Sequence, residues 1–132
     1  MADPSTPGGP RVVVTGIGML TPAAIGREPT WSALLAGENA IGPVTLCDDS
    51  DMESRVAGEV KDFDPLRYID RKDARRMDRF TQLAVAASAE ALEHSGLDVA
   101  AIAADVGVMI GSGIGGIQTL EDQFKVLFER GP

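Results

Sequence analysis

The chain of 132 residues has a single cysteine, a single histidine and fewer basic than acidic side chains. A lone Cys47 excludes a disulfide framework within one chain, and equally a cysteine-based zinc site. A lone His94 leaves no Cys-His or Ser-His catalytic group unless a partner comes close, and nothing in the sequence flags one. No apolar run approaches the roughly 20 residues of a membrane-spanning helix, and residues Met1–Pro10 lack the apolar core of a signal peptide. With 12 Lys and Arg against 20 Asp and Glu, the formal net charge is −8, the wrong sign for a generic nucleic-acid surface. The expectation is a soluble, cytoplasmic protein with neither nucleic acid nor membrane as partner.

What is present suits one modest domain with its own core, since 44% of residues are hydrophobic. A leader of Pro, Gly, Ser and Thr over residues 1–10 reads as disordered, which leaves residues 11–132 for the domain. Arg11 to Thr15 and Asp105 to Ile110 are short β-branched or apolar runs, the pattern of strands covered on both faces of an α/β sheet. Thr30 is placed to cap a short helix through Leu35, with Trp31, Leu34 and Leu35 buried and Gly37 just past its end. Arg55 to Val60 reads as a weak edge strand before a turn at Asp64-Pro65. Apolar residues from Met77 to Leu92 recur at helical spacing in one long helix that starts at Asp70 and is closed by Gly96. Ile117 to Arg130 forms an amphipathic helix. So few strands make an unfinished sheet for so many helices, and the chain stops at Gly131-Pro132 as at a connection. Both features point to the first part of a larger protein.

Three constellations could carry function. Gly111, Gly113 and Gly116 match G-x-G-x-x-G between a strand and a helix, yet the second strand with its ribose-binding acid, about 20 residues on, has no room to follow. Close backbone packing is the better reading, here and at Gly16 and Gly18. Between Arg67 and Arg79 six basic residues face three acidic ones, a local +3 that leaves −11 for the rest. On a continuous helix Lys72, Arg75, Arg76 and Arg79 fall at i, i+3, i+4 and i+7, one stripe. Cations in the first turns oppose the helix dipole, so the stripe fits an anionic partner as well as it fits a solvated face paired locally with Asp73 and Asp78. Cys47, beside Asp48 and Asp49, is a poor nucleophile because neighbouring carboxylates disfavour a thiolate. His94, near the end of the long helix, reads as a structural cap.

The ordered segments Arg11-Val-Val-Val-Thr-Gly-Ile-Gly-Met-Leu-Thr-Pro22, Thr30-Trp-Ser-Ala-Leu-Leu-Ala-Gly37, Gly58-Glu-Val-Lys-Asp-Phe-Asp64, Asp70-Arg-Lys-Asp-Ala-Arg-Arg-Met-Asp78 and Ile110-Gly-Ser-Gly-Ile-Gly-Gly116 resemble the amino-terminal part of the elongating type II β-ketoacyl-acyl-carrier-protein synthases. The resemblance implies an α/β class protein with a thiolase-like fold, an α/β/α/β/α sandwich of which this chain supplies part of the amino-terminal half. It implies a homodimer that condenses acyl-carrier-protein thioesters with malonyl-carrier protein and needs no cofactor beyond the carrier's phosphopantetheine. The family's catalytic cysteine and two histidines would lie beyond Pro132, so no catalytic residue is expected here and the 132-residue chain alone should be inactive. Cys47 stands where relatives usually carry an aromatic, a change that bears on packing. Two functions carry over to residues present: acyl-carrier-protein docking to Lys72, Arg75 and Arg76, with Arg79 added only by its place on the stripe, and acyl-pocket lining to Ile114. An aromatic polyketide ketosynthase subunit and a non-enzymatic carrier-docking module are the alternatives.

Overall fold

The computed structural model describes residues 12–132. The leader expected over residues 1–10 lies outside the described residues, as does Arg11.

Helices dominate. Among the described residues the elements are α1 (Arg27–Ala36), β1 (Gly42–Pro43), β2 (Val56–Ala57), a 3-10 turn (Pro65–Arg67), α2 (Arg71–Ala74), α3 (Arg79–Ser95), α4 (Val99–Ile102), a second 3-10 turn (Ala103–Asp105) and α5 (Ile117–Arg130). β1 and β2 pair antiparallel, with Gly42 opposite Ala57 and Pro43 opposite Val56, so the edge strand expected within Arg55 to Val60 is real but short. Asp64 starts the first 3-10 turn as expected of an Asp-Pro pair, its carboxylate accepting from the Leu66 N–H at 2.9 Å.

Three expectations need correction. Neither Val12 to Thr15 nor Asp105 to Ile110 joins a ladder, and Val12, Val14, Val108 and Met109 are almost fully exposed. A strand of the buried kind exists only between neighbouring strands that pair it, and the described residues supply none. The helix expected from Asp70 to Gly96 is two helices, because the chain leaves helical geometry between Ala74 and Arg79. Gln82 stabilises that break, its Nε2 donating to the Ala74 carbonyl at 2.8 Å and the Met77 carbonyl at 3.2 Å. Finally, α1 buries Thr30 and Ala33 rather than Trp31, Leu34 and Leu35. Thr30 lies inside the helix instead of capping it, and its hydroxyl bonds the Ala24 carbonyl and the Thr21 hydroxyl. Gly37 closes α1 and Gly96 closes α3 in the left-handed region, at φ of 69° and 63°, where glycine carries no Cβ penalty.

The core is small: Ala33, Phe63, Ile69, Ala74 and Ala86 are its buried apolar residues. Around it the segment carrying Gly16 and Gly18 lies directly on α3. A Cβ at Gly18 would run into the Ala87 carbonyl, and one at Gly16 into the carbonyl of Ala91 and the side chain of Ser95. The alanines of α3 thus let backbone meet backbone. No helix of the described residues is long and apolar enough to cross a membrane.

Candidate functional site

The basic residues sit on the break between α2 and α3. Lys72 belongs to the four-residue α2, Arg75 follows its end, Arg76 lies in the connecting turn and Arg79 opens α3. The stripe inferred from a continuous helix therefore does not exist as such. What remains is a cluster: Lys72, Arg75 and Arg76 are exposed, and none of them enters an ion pair among the described residues. Arg79 separates from them. Its guanidinium donates to the Val60 carbonyl at 3.0 Å and the Phe63 carbonyl at 3.4 Å and lies 4.8 Å above the Phe63 ring, which itself stacks on Tyr68. That side chain is committed to holding the 60–63 segment on α3.

Ile114 lies in the loop between the second 3-10 turn and α5, its side chain three-quarters exposed. The loop is closed on itself, since Gly115 adopts φ of 79° and its N–H donates to Ser112 Oγ at 3.0 Å. A Cβ at Gly111 or Gly113 would meet nothing within 4 Å, so close packing explains neither of these two glycines among the described residues. Gly116 differs: a Cβ there would overlap the carboxylate of Asp78. Thr119, in the first turn of α5, donates its hydroxyl to Asp78 Oδ1. Asp78 therefore faces α5 and not the basic residues it was expected to pair with.

His94 has a structural role, but not as a cap. Its Nδ1 accepts the Ile17 N–H at 3.0 Å and its Nε2 meets Arg27, so it ties the glycine segment to α3. It borders a cavity of about 620 Å³ shared by Arg27, Arg67, Tyr68, Glu90 and Glu93. A second, apolar cavity of about 520 Å³ runs along α3 beside Phe80, Ala84, Leu92, Val108 and Ile110. Cys47 is exposed in the loop between β1 and β2. Tyr68 and Glu90 were invisible to sequence reasoning, because a tyrosine in a turn and a glutamate in an amphipathic helix carry no spacing signal.

Residues 10–131 match the family model of the β-ketoacyl synthase N-terminal domain, and the chain belongs to that family. Among individual relatives it is 49% identical over 123 residues to the 3-oxoacyl-[acyl-carrier-protein] synthase 2 of Synechocystis sp., and equally to that of Vibrio cholerae. The match covers 92% of this chain but 30% of each relative, so the chain spans about a third of their length. In structure it resembles the ishigamide ketosynthase/chain length factor, with a TM-score of 0.74 and 28% identity over 90% of this chain and 30% of that one. It also shares the fold of the ketosynthase complex AntDE:AntF, described as a type II PKS acyl-carrier protein with its ketosynthase bound to the hexaketide, at a TM-score of 0.64 and 24% identity over 90% of this chain and 32% of that one.

Proposed function

We propose that the complete protein is a 3-oxoacyl-acyl-carrier-protein synthase of fatty acid elongation, built as a homodimer on the five-layered thiolase-like sandwich. The observation that carries this reading is the 49% identity, through 123 residues, to synthases of that name. In the reaction a cysteine thiolate outside residues 1–132 attacks the acyl thioester and expels the carrier's thiol. Malonyl-carrier protein then loses carbon dioxide, and the carbanion so formed attacks the enzyme-bound acyl carbonyl, returning the cysteine as thiolate. Two histidines, also outside this chain, stabilise the charge that develops on the thioester oxygens.

This chain's own residues serve binding. Lys72, Arg75 and Arg76 offer exposed positive charge to an acidic carrier protein, which raises encounter rate and sets orientation. Ile114, a branched apolar side chain on a glycine loop, lines the acyl pocket. The unpartnered apolar face of α3 and the exposed Val12 to Val14 run are surfaces for the remaining strands and helices of the sandwich.

The test is incubation of the full-length protein with acyl-carrier protein and malonyl-carrier protein. Carbon dioxide release matched by 3-oxoacyl-carrier protein is expected; decarboxylation without condensation, or neither, sinks the reading. The structural likeness to the ishigamide ketosynthase favours a second reading, a polyketide ketosynthase subunit. Repeated condensation without reduction of the 3-oxo group would support it instead.

A further inference from the structure

Asp78 holds the position from which an aspartate normally caps its own helix. It immediately precedes α3 with extended backbone angles, φ −63° and ψ 157°, and its carbonyl accepts the Gln82 N–H at 3.0 Å. An aspartate there ordinarily turns its carboxylate onto the second or third N–H of the helix. Asp78 makes no such bond. Its carboxylate turns instead to the amino end of a different helix, α5, where it accepts from Thr119 and lies against Gly116. Negative charge is favourable at that end of a 14-residue helix, and Gly116 supplies the gap that lets the carboxylate in.

The two things so joined are the functional residues proposed above. Arg75 and Arg76 lie three and two residues before Asp78, on a turn stiffened by Gln82. Ile114 lies two residues before Gly116, on a loop closed by Ser112 and Gly115. We propose that Asp78 is a positioning residue: through Thr119 and Gly116 it fixes the Ile114 loop against the carrier-docking turn, and so sets acyl-chain selectivity without touching carrier or acyl chain. This inference rests on the synthase reading.

The experiment compares the full-length enzyme with Asp78→Ala, Thr119→Val, Thr119→Ser and the double variant Asp78→Ala/Thr119→Val. Thr119→Val and Thr119→Ser change little volume, so they keep the test open should Asp78→Ala lower solubility. The readouts are kcat/KM for short and long acyl donors, carrier-protein Kd and Tm. Expected is a change of about 2- to 30-fold in the long-to-short kcat/KM ratio for Asp78→Ala and Thr119→Val, with unchanged carrier Kd. Thr119→Ser keeps the wild-type profile, and the double variant matches the single ones because both remove the same contact. An unaltered profile overturns the inference alone, as does a uniform loss at every chain length accompanied by a fall in Tm, or additive effects in the double variant. A wild-type enzyme that does not condense the two substrates overturns the synthase reading, and this inference with it.

Discussion

The phenol of Tyr68 donates to Glu90 Oε1 at 2.7 Å, while Glu90 Oε2 accepts the Met19 N–H at 3.3 Å. One half-buried carboxylate thereby joins the turn after Pro65, the middle of α3 and the segment leading into α1. Tyr68→Phe leaves that carboxylate short of a partner and should destabilise the protein by about 1–3 kcal/mol, read from denaturant unfolding. The bond to Glu90, followed by burial and the Glu90 charge, raises the Tyr68 pKa above its usual 10.0. Stability from this phenol is therefore complete below pH 10 and is lost as pH rises through the folded value. A Tyr68→Phe protein with the wild-type midpoint and the wild-type alkaline limb would contradict both statements.

Gly18→Ala places a methyl group against the Ala87 carbonyl, backbone that cannot swing aside. The expected loss is about 1–3 kcal/mol. Gly42→Ala is the control, because a Cβ there meets nothing within 4 Å. Equal unfolding midpoints for the two variants would refute the close approach of this segment to α3.

That glycine pair also marks how far residues alone disclose this molecule. Close packing at Gly16 and Gly18 was legible because two glycines follow a β-branched run and alanines fill the helix that could receive them. At Gly111 and Gly113 the same logic finds no packing partner among the described residues. The break at Arg75 to Asp78 was hidden, since neither glycine nor proline interrupts the helical spacing; the device that stabilises it is a side chain, Gln82, reaching backward. Arg79 left the docking set for the same reason. Its periodicity is that of the cluster, but the carbonyls that claim it lie about 16 to 19 residues upstream, beyond any local pattern.

Glu59 gathers Thr45 and Leu46 across the loop between the two short strands. Its carboxylate accepts from the Thr45 hydroxyl and N–H and the Leu46 N–H, with Lys61 at 3.4 Å. The Thr45 bonds foremost lower its pKa from 4.5 to about 2. A lowered folded value contributes stability that is complete above pH 4.5 and is lost as pH falls through about 2. Hydrogen exchange at the Thr45 and Leu46 amides should lose protection across that window, beyond the intrinsic pH dependence. In Glu59→Gln the window should vanish, and its persistence would assign the acid sensitivity elsewhere.

Reversing charge separates the proposed docking cluster from its structural neighbour. Arg75→Glu with Arg76→Glu should weaken carrier-protein binding by about 10-fold or more at low salt, with little change in Tm, because both side chains are exposed and neither enters an ion pair among the described residues. Arg79→Gln should do the reverse, lowering Tm through the lost Val60 and Phe63 carbonyl bonds while leaving carrier affinity nearly intact. Calorimetric titration at two ionic strengths checks it. Unchanged affinity in the double reversal would remove Arg75 and Arg76 from the docking surface.

Ile114→Phe tests the acyl-pocket assignment from the opposite direction to Asp78. The side chain is exposed among the described residues, so added bulk disturbs none of their packing. On the synthase reading, the same bulk in the full-length protein projects into the acyl pocket, where a rigid ring occupies the space of several methylenes. Each methylene in an apolar pocket is worth roughly 1–3 kcal/mol of discrimination. The kcat/KM for long acyl donors should therefore fall about 10-fold or more relative to short ones, while Lys72, Arg75 and Arg76 keep the carrier Kd unchanged. A profile identical to wild type would mean that the residue between the glycines faces away from the acyl chain, and the selectivity of the enzyme would have to be sought outside this loop.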